Sequence, residues 1–561
     1  MLRTIAFAAA VLSTAAGRAE PTMCFRDVTA QTGITFQHTD GGSGHYYIME
    51  TVSAGLALFD YDGDGDQDIY FLNGRPLEGA EAVPPPHNAL YRNDGNWRFT
   101  DVTTQAGVGD TGHGLGVAAA DYDGDGDQDL YLNNYGPNVL YRNNGDGTFT
   151  DVTRVAGVGN GNHVGAGTSF LDIDGDGDLD LYAANYLEFS DETHAVDMSR
   201  GVPFYASPGR YEPVSDTLFR NDGDGTFTDV TKDSGIGDHA GWGMGMVSAD
   251  YDNDGDTDVF IANDMAENFL FRNDGRGHFS EVGLLSGVAF DLNGYPHGSM
   301  GVDCGDFDND GWLDFYVTSY QRQLATLYRN LEGRFFLDVT RTTGAAEGTY
   351  PLVTWGNSFV DFDNDRDRDL FIACGHLQMN VEQADSSAKY QVENLVFANT
   401  GKGKFVNVSD QTGDGLAVKL SSRGAAFDDL DQDGDVDIVV LNSRREPTIL
   451  RNDTESGNHW IQVRLHGTKC NRDGVGSHVR VTAGGRTQLD EVHSGRGYQS
   501  HHGMRLHFGL GDCDRVERIE IQWLGGGTQV IEDMGVDQLV VVVEGSDAVA
   551  APPVQAGGLI E

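Results

Sequence analysis

The sequence predicts an all-β protein built by repeating one four-stranded unit, and three observations predict it. A nine-residue acidic segment of the form DxDxDGxxD recurs seven times, starting at Asp60, Asp121, Asp172, Asp250, Asp306, Asp361 and Asp429. Each copy lies between a Gly-rich apolar stretch, such as Gly114 to Ala120 or Gly243 to Ala249, and a β-rich run, such as Ile69 to Leu72 or Val259 to Ala262. Two more strand signals complete the unit. One is a run ending in Asn (LYRN at Leu90, Leu140 and Leu327, LFRN at Leu218 and Leu270, VFAN at Val396, ILRN at Ile449), and the other is an FxDVT-type run after a Gly/Asp turn. Successive acidic segments start 51 to 78 residues apart. A four-stranded repeat at this period reads as a β-propeller blade, so the predicted architecture is a seven-bladed β-propeller.

The acidic segments carry the chemistry. Carboxylates at positions 1, 3, 5 and 9 converge on one point as the chain curls, position 7 lends its backbone carbonyl, and Gly at position 6 permits the sharp turn. An all-oxygen shell of this kind suits calcium. The candidate metal residues are Asp60, Asp62, Asp64, Asp66 and Asp68 in the first segment and Asp121, Asp123, Asp125, Asp127 and Asp129 in the second. The third supplies Asp172, Asp174, Asp176, Asp178 and Asp180, and the fourth Asp250, Asp252, Asp254, Asp256 and Asp258. The fifth supplies Asp306, Asp308, Asp310, Trp312 (by its carbonyl) and Asp314. The sixth has Asp361, Asp363, Asp365, Asp367 and Asp369, and the seventh Asp429, Asp431, Asp433, Asp435 and Asp437. About seven calcium sites are expected, the sixth the weakest, because Arg366 stands where the others have Gly.

Ring closure is also readable. FxDVT-type runs start at Phe25, Phe99, Phe149, Phe227, Phe279, Phe336 and Phe405; the first precedes any acidic segment, and the last Asn-ended run, at Ile449, has none after it. The N-terminal copy is therefore expected to complete the seventh blade, which leaves no open sheet edge.

Topology assigns faces. The acidic segments and the short turns after the Asn-ended strands share one face. The long insertions Gly74–His87, Glu188–Ser215 and Gly375–Glu393 share the other, with His113, His163, His239, Trp242, His297 and Trp355. Two readings of these His/Trp positions stay open: a ligand or second-metal site at the channel mouth, or hydrogen-bonded structural groups in tight loop ends. Because the insertions should leave a blade through closely spaced ends, Glu188–Ser215 is expected to be removable without harm to the fold.

The repeats resemble the FG-GAP repeats of the integrin α-subunit propeller over roughly residues 25–455. Residues 457–545 follow as a small antiparallel β domain with strands at Trp460–Leu465, His478–Thr482, Leu506–Gly509, Arg518–Trp523 and Gln538–Val543. Its NHWIQVRLHG at Asn458, CNRDGVGSHV at Cys470, SGRGYQS at Ser494, LHFGLG at Leu506 and IEIQW at Ile519 are similar to the UnbV/ASPIC domain. Leu524, Gly525 and Gly526 depart from the family's Pro-Ser-Gly. Propeller followed by this domain is the arrangement of the cartilage acidic protein family and its bacterial relatives, a resemblance that implies a secreted calcium-binding protein and no particular reaction. Family members usually carry Ser or Ala where Cys470 and Cys513 stand, which leaves a disulfide between these two open.

Charge and termini agree. The chain has 87 acidic and 37 basic residues and a net charge of −50. Such a surface excludes nucleic acid and anionic membranes as general partners. Arg3, the apolar run Ile5 to Leu12 and the small-residue step Gly17-Arg18-Ala19 read as a signal peptide over residues 1–19, hence a secreted or periplasmic protein without membrane insertion. Residues 546–561 are Ala/Pro/Gly-rich and expected to be disordered. There is no Walker loop, HExxH or GxSxG; the His501-His502 pair reads better as a solvated polar loop than as acid/base or metal groups. The leading functional reading is a calcium-binding interaction module for a protein or glycan ligand on the face opposite the acidic segments. An enzyme or biosynthetic accessory with a channel-mouth site and a structural matrix or envelope protein are the alternatives.

Overall fold

The computed structural model describes residues 23–546 apart from Ala54 and Val83, together with the backbone of Val549 and Ala550. The signal-peptide segment and nearly all of the 546–561 tail lie outside the described residues. Among the described residues, seven antiparallel sheets built on four strands each occupy residues 25–452, the fourth with a short fifth strand, His297–Gly298, and a two-stranded hairpin lies beside them. The first runs outward through Leu56–Phe59, Asp68–Phe71, Ala89–Asn93 and Phe99–Asp101. The seventh takes Ser422–Asp428, Asp437–Asn442 and Thr448–Asn452 from the end of the repeats and Phe25–Asp27 from the N-terminus, with Phe25 opposite Asn452. Inner strands of successive sheets touch, and that of the seventh touches that of the first, so the layout is propeller-like. The Gly-rich composition of these strands has a steric cause: a Cβ on Gly116 would lie 1.9 Å from Ala166 O in the next sheet.

The Asn that ends each third strand ties the sheets together. Asn143 Nδ2 donates to Gln128 O of its own acidic segment and to Tyr61 O of the preceding one (3.1 and 2.9 Å). Asn221, Asn273, Asn330, Asn399 and Asn452 repeat this pair of bonds. Asn93 completes the circuit by donating to Gln67 O and, across 337 residues, to Leu430 O of the seventh segment (3.2 and 2.9 Å). All seven are buried, so each bond is made where an unpaired amide or carbonyl is costly.

The C-terminal part consists of two four-stranded sheets. Arg486–Glu491, His478–Ala483, Val516–Gln522 and Thr528–Met534 pair antiparallel. The other sheet corrects the expectation of a wholly antiparallel domain: His459–His466 pairs parallel with Gln538–Val543. A parallel pair needs a long crossover, and the intervening chain supplies it by building the other sheet.

Residues 493–503 of this part thread the centre of the ring. Ser494 Oγ donates to Ala119 O (2.6 Å), Gly497 and Val302 exchange backbone bonds, Val117 N donates to Gln499 O (3.2 Å), and His501 exchanges bonds with Leu56 and Leu58. His493 Nδ1 lies 2.8 Å from Ser248 O, and the His502 ring packs on Phe427. Tyr498, fully buried, stacks edge-on against Trp355 and donates to Val52 O at 2.8 Å. The fit is closest at Gly495, where a Cβ would lie 2.0 Å from Thr168 O. His501 and His502 are accordingly not in a solvated loop; both are buried inside the channel, where desolvation holds them neutral.

Candidate metal centres and channel mouth

Each acidic segment folds back on its first carboxylate. In the first, Asp64 N and Gly65 N donate to the two oxygens of Asp60 (3.1 and 2.9 Å). The position-9 carboxylate is anchored too: Asp68 accepts from Tyr61 N and from Asn93 N (3.0 and 2.8 Å). Carboxylate oxygens of Asp60, Asp62 and Asp68 come within 4.8 Å of one another, as do those of Asp121, Asp123 and Asp129, of Asp172, Asp174 and Asp180, of Asp250, Asp252 and Asp254, and of Asp306, Asp308 and Asp314; two further groups of this kind exist among the described residues. Positions 1, 3 and 9 thus converge in four of these five, and positions 1, 3 and 5 in the fourth segment. The position-7 side chains are outside the five triads named, consistent with a carbonyl contribution there.

The donor set fits a hard divalent cation. One oxygen of each of Asp174, Asp252, Asp308 and Asp431, all at position 3, is buried without a protein partner. Burial and then neighbouring carboxylates push Asp121 and Asp306 up to about 7. A bound calcium ion would supply a counter-charge and accept those oxygens.

Two segments differ. In the fifth, Arg329 reaches Asp308 and Asp310 (2.6 and 2.9 Å), so a cation competes for the same oxygens. In the sixth, Arg366 adopts φ 80°, the left-handed conformation that Gly takes at position 6 elsewhere, and its N–H still donates to Asp361 (2.8 Å). The loop is kept, but the backbone is strained. Its guanidinium turns toward the C-terminal part, 3.6 Å from Cys513 Sγ. Replacing Arg366 by Gly should therefore raise stability by about 1 kcal/mol, the order of the left-handed penalty for a residue with a Cβ. A thermal melt showing a loss instead means that the guanidinium's contact outweighs the strain.

The C-terminal part sits on this face, which is not the bare set of short loops that the repeats suggest. Asp473 accepts from Asp121 N (2.8 Å), Glu491 from Asp250 N (3.0 Å), and Gln462 donates to Asp429 (3.0 Å). Asn458 donates to Asp363 O (2.8 Å), Arg486 pairs with Asp367, and Arg505 donates to Gly65 O. Charge is one part of this contact, through Arg486 on Asp367, and a shared apolar core is another. All five cysteines are free, so Cys470 and Cys513 are not joined; each packs into the same core, Cys470 beside Gly467 and Cys513 beside Gly484.

At the other end of the channel lies a cavity of about 350 Å³. Met244, Met300 and Trp355, at the start of inner strands, form its floor above Tyr498. Met198 and Met265 stand exposed at its rim. Of the six His/Trp positions singled out in the sequence, only Trp355 lines it; His113 is buried elsewhere, and His297 faces Asp291 in a separate cleft. The three insertions interlock around this mouth. Tyr205, in the hairpin Val196–Ser199/Val202–Tyr205, donates to Glu50 (2.7 Å) and exchanges bonds with Gln378, while Asn380 donates to Pro203 O (2.7 Å) and Leu77 joins the same core. Glu188–Ser215 is therefore not detachable, although its ends are close, Glu188 N donating to Glu212 O. Sequence reasoning missed Asp264, Met198 and Met265, which lack any repeat signature and meet only in the fold.

Models of the FG-GAP-like repeat match residues 60–132, 121–183, 204–261, 250–317, 306–372 and 361–440, and the ASPIC and UnbV model matches 467–549. Cartilage acidic protein 1 of Mus musculus is 24% identical over 530 residues, 91% of this chain and 68% of that one; the Homo sapiens protein is 25% identical over 537 residues, 91% and 66%. The chain spans about two thirds of the length of these relatives. Among solved structures, the BP39L lectin from Burkholderia pseudomallei is similar at TM-score 0.43 and 10% identity, covering 72% of this chain and 96% of that one. An Agrocybe aegerita lectin specific for non-reducing terminal N-acetylglucosamine is similar at TM-score 0.36 and 19% identity, covering 63% and 79%. The acidic segments, the Asn ties and the stretches between them are thus the recurring parts of a known repeat, matched over more than half of the sequence, and the chain belongs to the FG-GAP-like repeat family, with an ASPIC and UnbV domain behind the repeats.

Proposed function

We propose that this protein is a secreted or periplasmic calcium-binding interaction module. In this reading, residues 25–455 are a seven-bladed propeller whose acidic segments hold about seven calcium ions, and residues 457–545 are a second domain seated on that metal face. The ligand, a protein or glycan, is then taken by the opposite face. One observation carries the choice of face: the second domain is bonded to the acidic segments and takes up part of their face, whereas the opposite channel mouth is an open cavity with exposed methionines at its rim. Exposed apolar side chains grouped at a concavity favour binding, since solvated surfaces rarely group them. Secretion rests on the N-terminal sequence pattern. Among the described residues, no helix is long and apolar enough to cross a membrane.

The test is a glycan array, with a parallel screen of immobilised extracellular proteins, run in calcium and in chelator. Binding is expected in calcium only. Met198→Asp and Met265→Asp, 64% and 53% exposed, should weaken it about tenfold or more while leaving the melt within about 0.5 kcal/mol of the parent. Binding that survives both changes but fails when the turn Asp222–Gly225 is recharged places the ligand on the other face.

A further inference from the structure

We propose that the channel-mouth cavity takes a small organic cation with an apolar body, its charged nitrogen seated on Asp264. The walls are apolar and polarisable: Met244, Met300 and Trp355 below, Phe204 and Tyr320 at the sides, Met265 at the rim. Such surfaces suit aromatic or alkyl groups, and cations are favoured near aromatic faces. Two carboxylates line the cavity. Asp197 is already neutralised by Arg210 at 2.7 Å and accepts from Ser207 N. Asp264 stands at the end of strand Asp258–Ala266 and is partly exposed to the cavity. Its one side-chain partner is the hydroxyl of Tyr186, which donates at 2.9 Å, and no cation among the described residues acts on it.

The cations nearby are committed elsewhere. Arg423 lies behind Trp355, its guanidinium 4.1 Å over the indole and bonded to Thr51 O, Ser421 and Ser422 O. Arg444 is held by Asp40 and Glu50. No Lys or Arg lines the cavity, so an anion would meet carboxylates without a compensating donor. Burial pushes Asp264 up to about 6, and no counter-charge among the described residues offsets it. An ammonium group would supply that charge and a hydrogen bond together, and charge-assisted bonds of this kind are the stronger ones.

This inference rests on the reading of this face as the binding face. Its test uses the full calcium-loaded chain and three probes of one shape: benzylamine, benzyl alcohol and benzoate, titrated by calorimetry at pH 7.5. Benzylamine should bind, benzyl alcohol about tenfold or more weaker, and benzoate not measurably. Asp264→Asn should lose about tenfold or more for benzylamine while keeping the Tyr186 bond and the melting temperature. The probe comparison on the parent protein needs no variant, so a misfolded D264N does not block the test. Equal affinity for benzoate and benzylamine, no binding of any probe, or full benzylamine affinity in folded D264N each overturn the proposal. If the rim variants abolish array binding while benzylamine fails to bind, the cation site falls and the binding face stands.

Discussion

Stripping divalent cations from the intact protein is expected to lower its melting temperature sharply. The acidic segments gather carboxylates that burial and mutual repulsion already push toward protonation, and in four of them a position-3 oxygen is buried without a protein partner. An ion bound only by the folded state adds about 2.7 kcal/mol per site at a hundredfold excess over its dissociation constant. Several sites acting together exceed the whole stability of an ordinary domain, about 5–15 kcal/mol. The effect should reach the second domain, because Asp473, Glu491 and Gln462 bond to the same segments. The measurement is a calorimetric melt in calcium and in excess chelator at matched ionic strength. A melt that does not move shows that the acidic segments are structural without metal, and the calcium reading fails.

The second large effect concerns the threaded segment. Tyr498→Ala should cost about 3–5 kcal/mol, the range for emptying a fully buried aromatic site. The cavity would open directly beneath Trp355, at a point where the ring's inner strands and the second domain share a core. Tyr498→Phe removes only the hydrogen bond to Val52 O and should cost about 1 kcal/mol, the net worth of one such bond. Urea unfolding of both variants separates packing from hydrogen bonding. A loss below about 1 kcal/mol for the Ala variant would mean that the segment lies loosely in the channel and does not brace it.

Much of this was legible from residues alone, because the repeat makes local signals mutually reinforcing. The acidic segments, the four strands per unit and the N-terminal strand needed by the last unit all follow from short patterns. A finer signal was there and easily passed over: position 4 of the segments also needs a left-handed residue, which is why Gly63, Gly124 and Gly175 alternate in that role with Asn253, Asn309, Asn364 and Gln432. The Asn of each Asn-ended strand was visible as a motif, but not as the tie between neighbouring segments, since its partner carbonyl lies in a different repeat. The parallel pair in the second domain was missed for a related reason: periodicity reports which residues are buried, not which way a distant strand runs.

The sequence by itself determined the all-β class, the repeated acidic segments, the family and the strongly acidic net charge. These are local or periodic properties, set within nine residues or within one repeat. Only the tertiary structure decided where the second domain sits, what fills the channel and what lines its mouth. The His501-His502 pair reads as a solvated polar loop until sheets hundreds of residues away close around it, and Asp264 reads as one acid among 87 until Tyr186, Met300 and Trp355 surround it. The physical reason is that burial, a vacant hydrogen-bond position and an uncompensated charge belong to a place in space, and a place made by residues far apart along the chain leaves no mark in any one stretch of it.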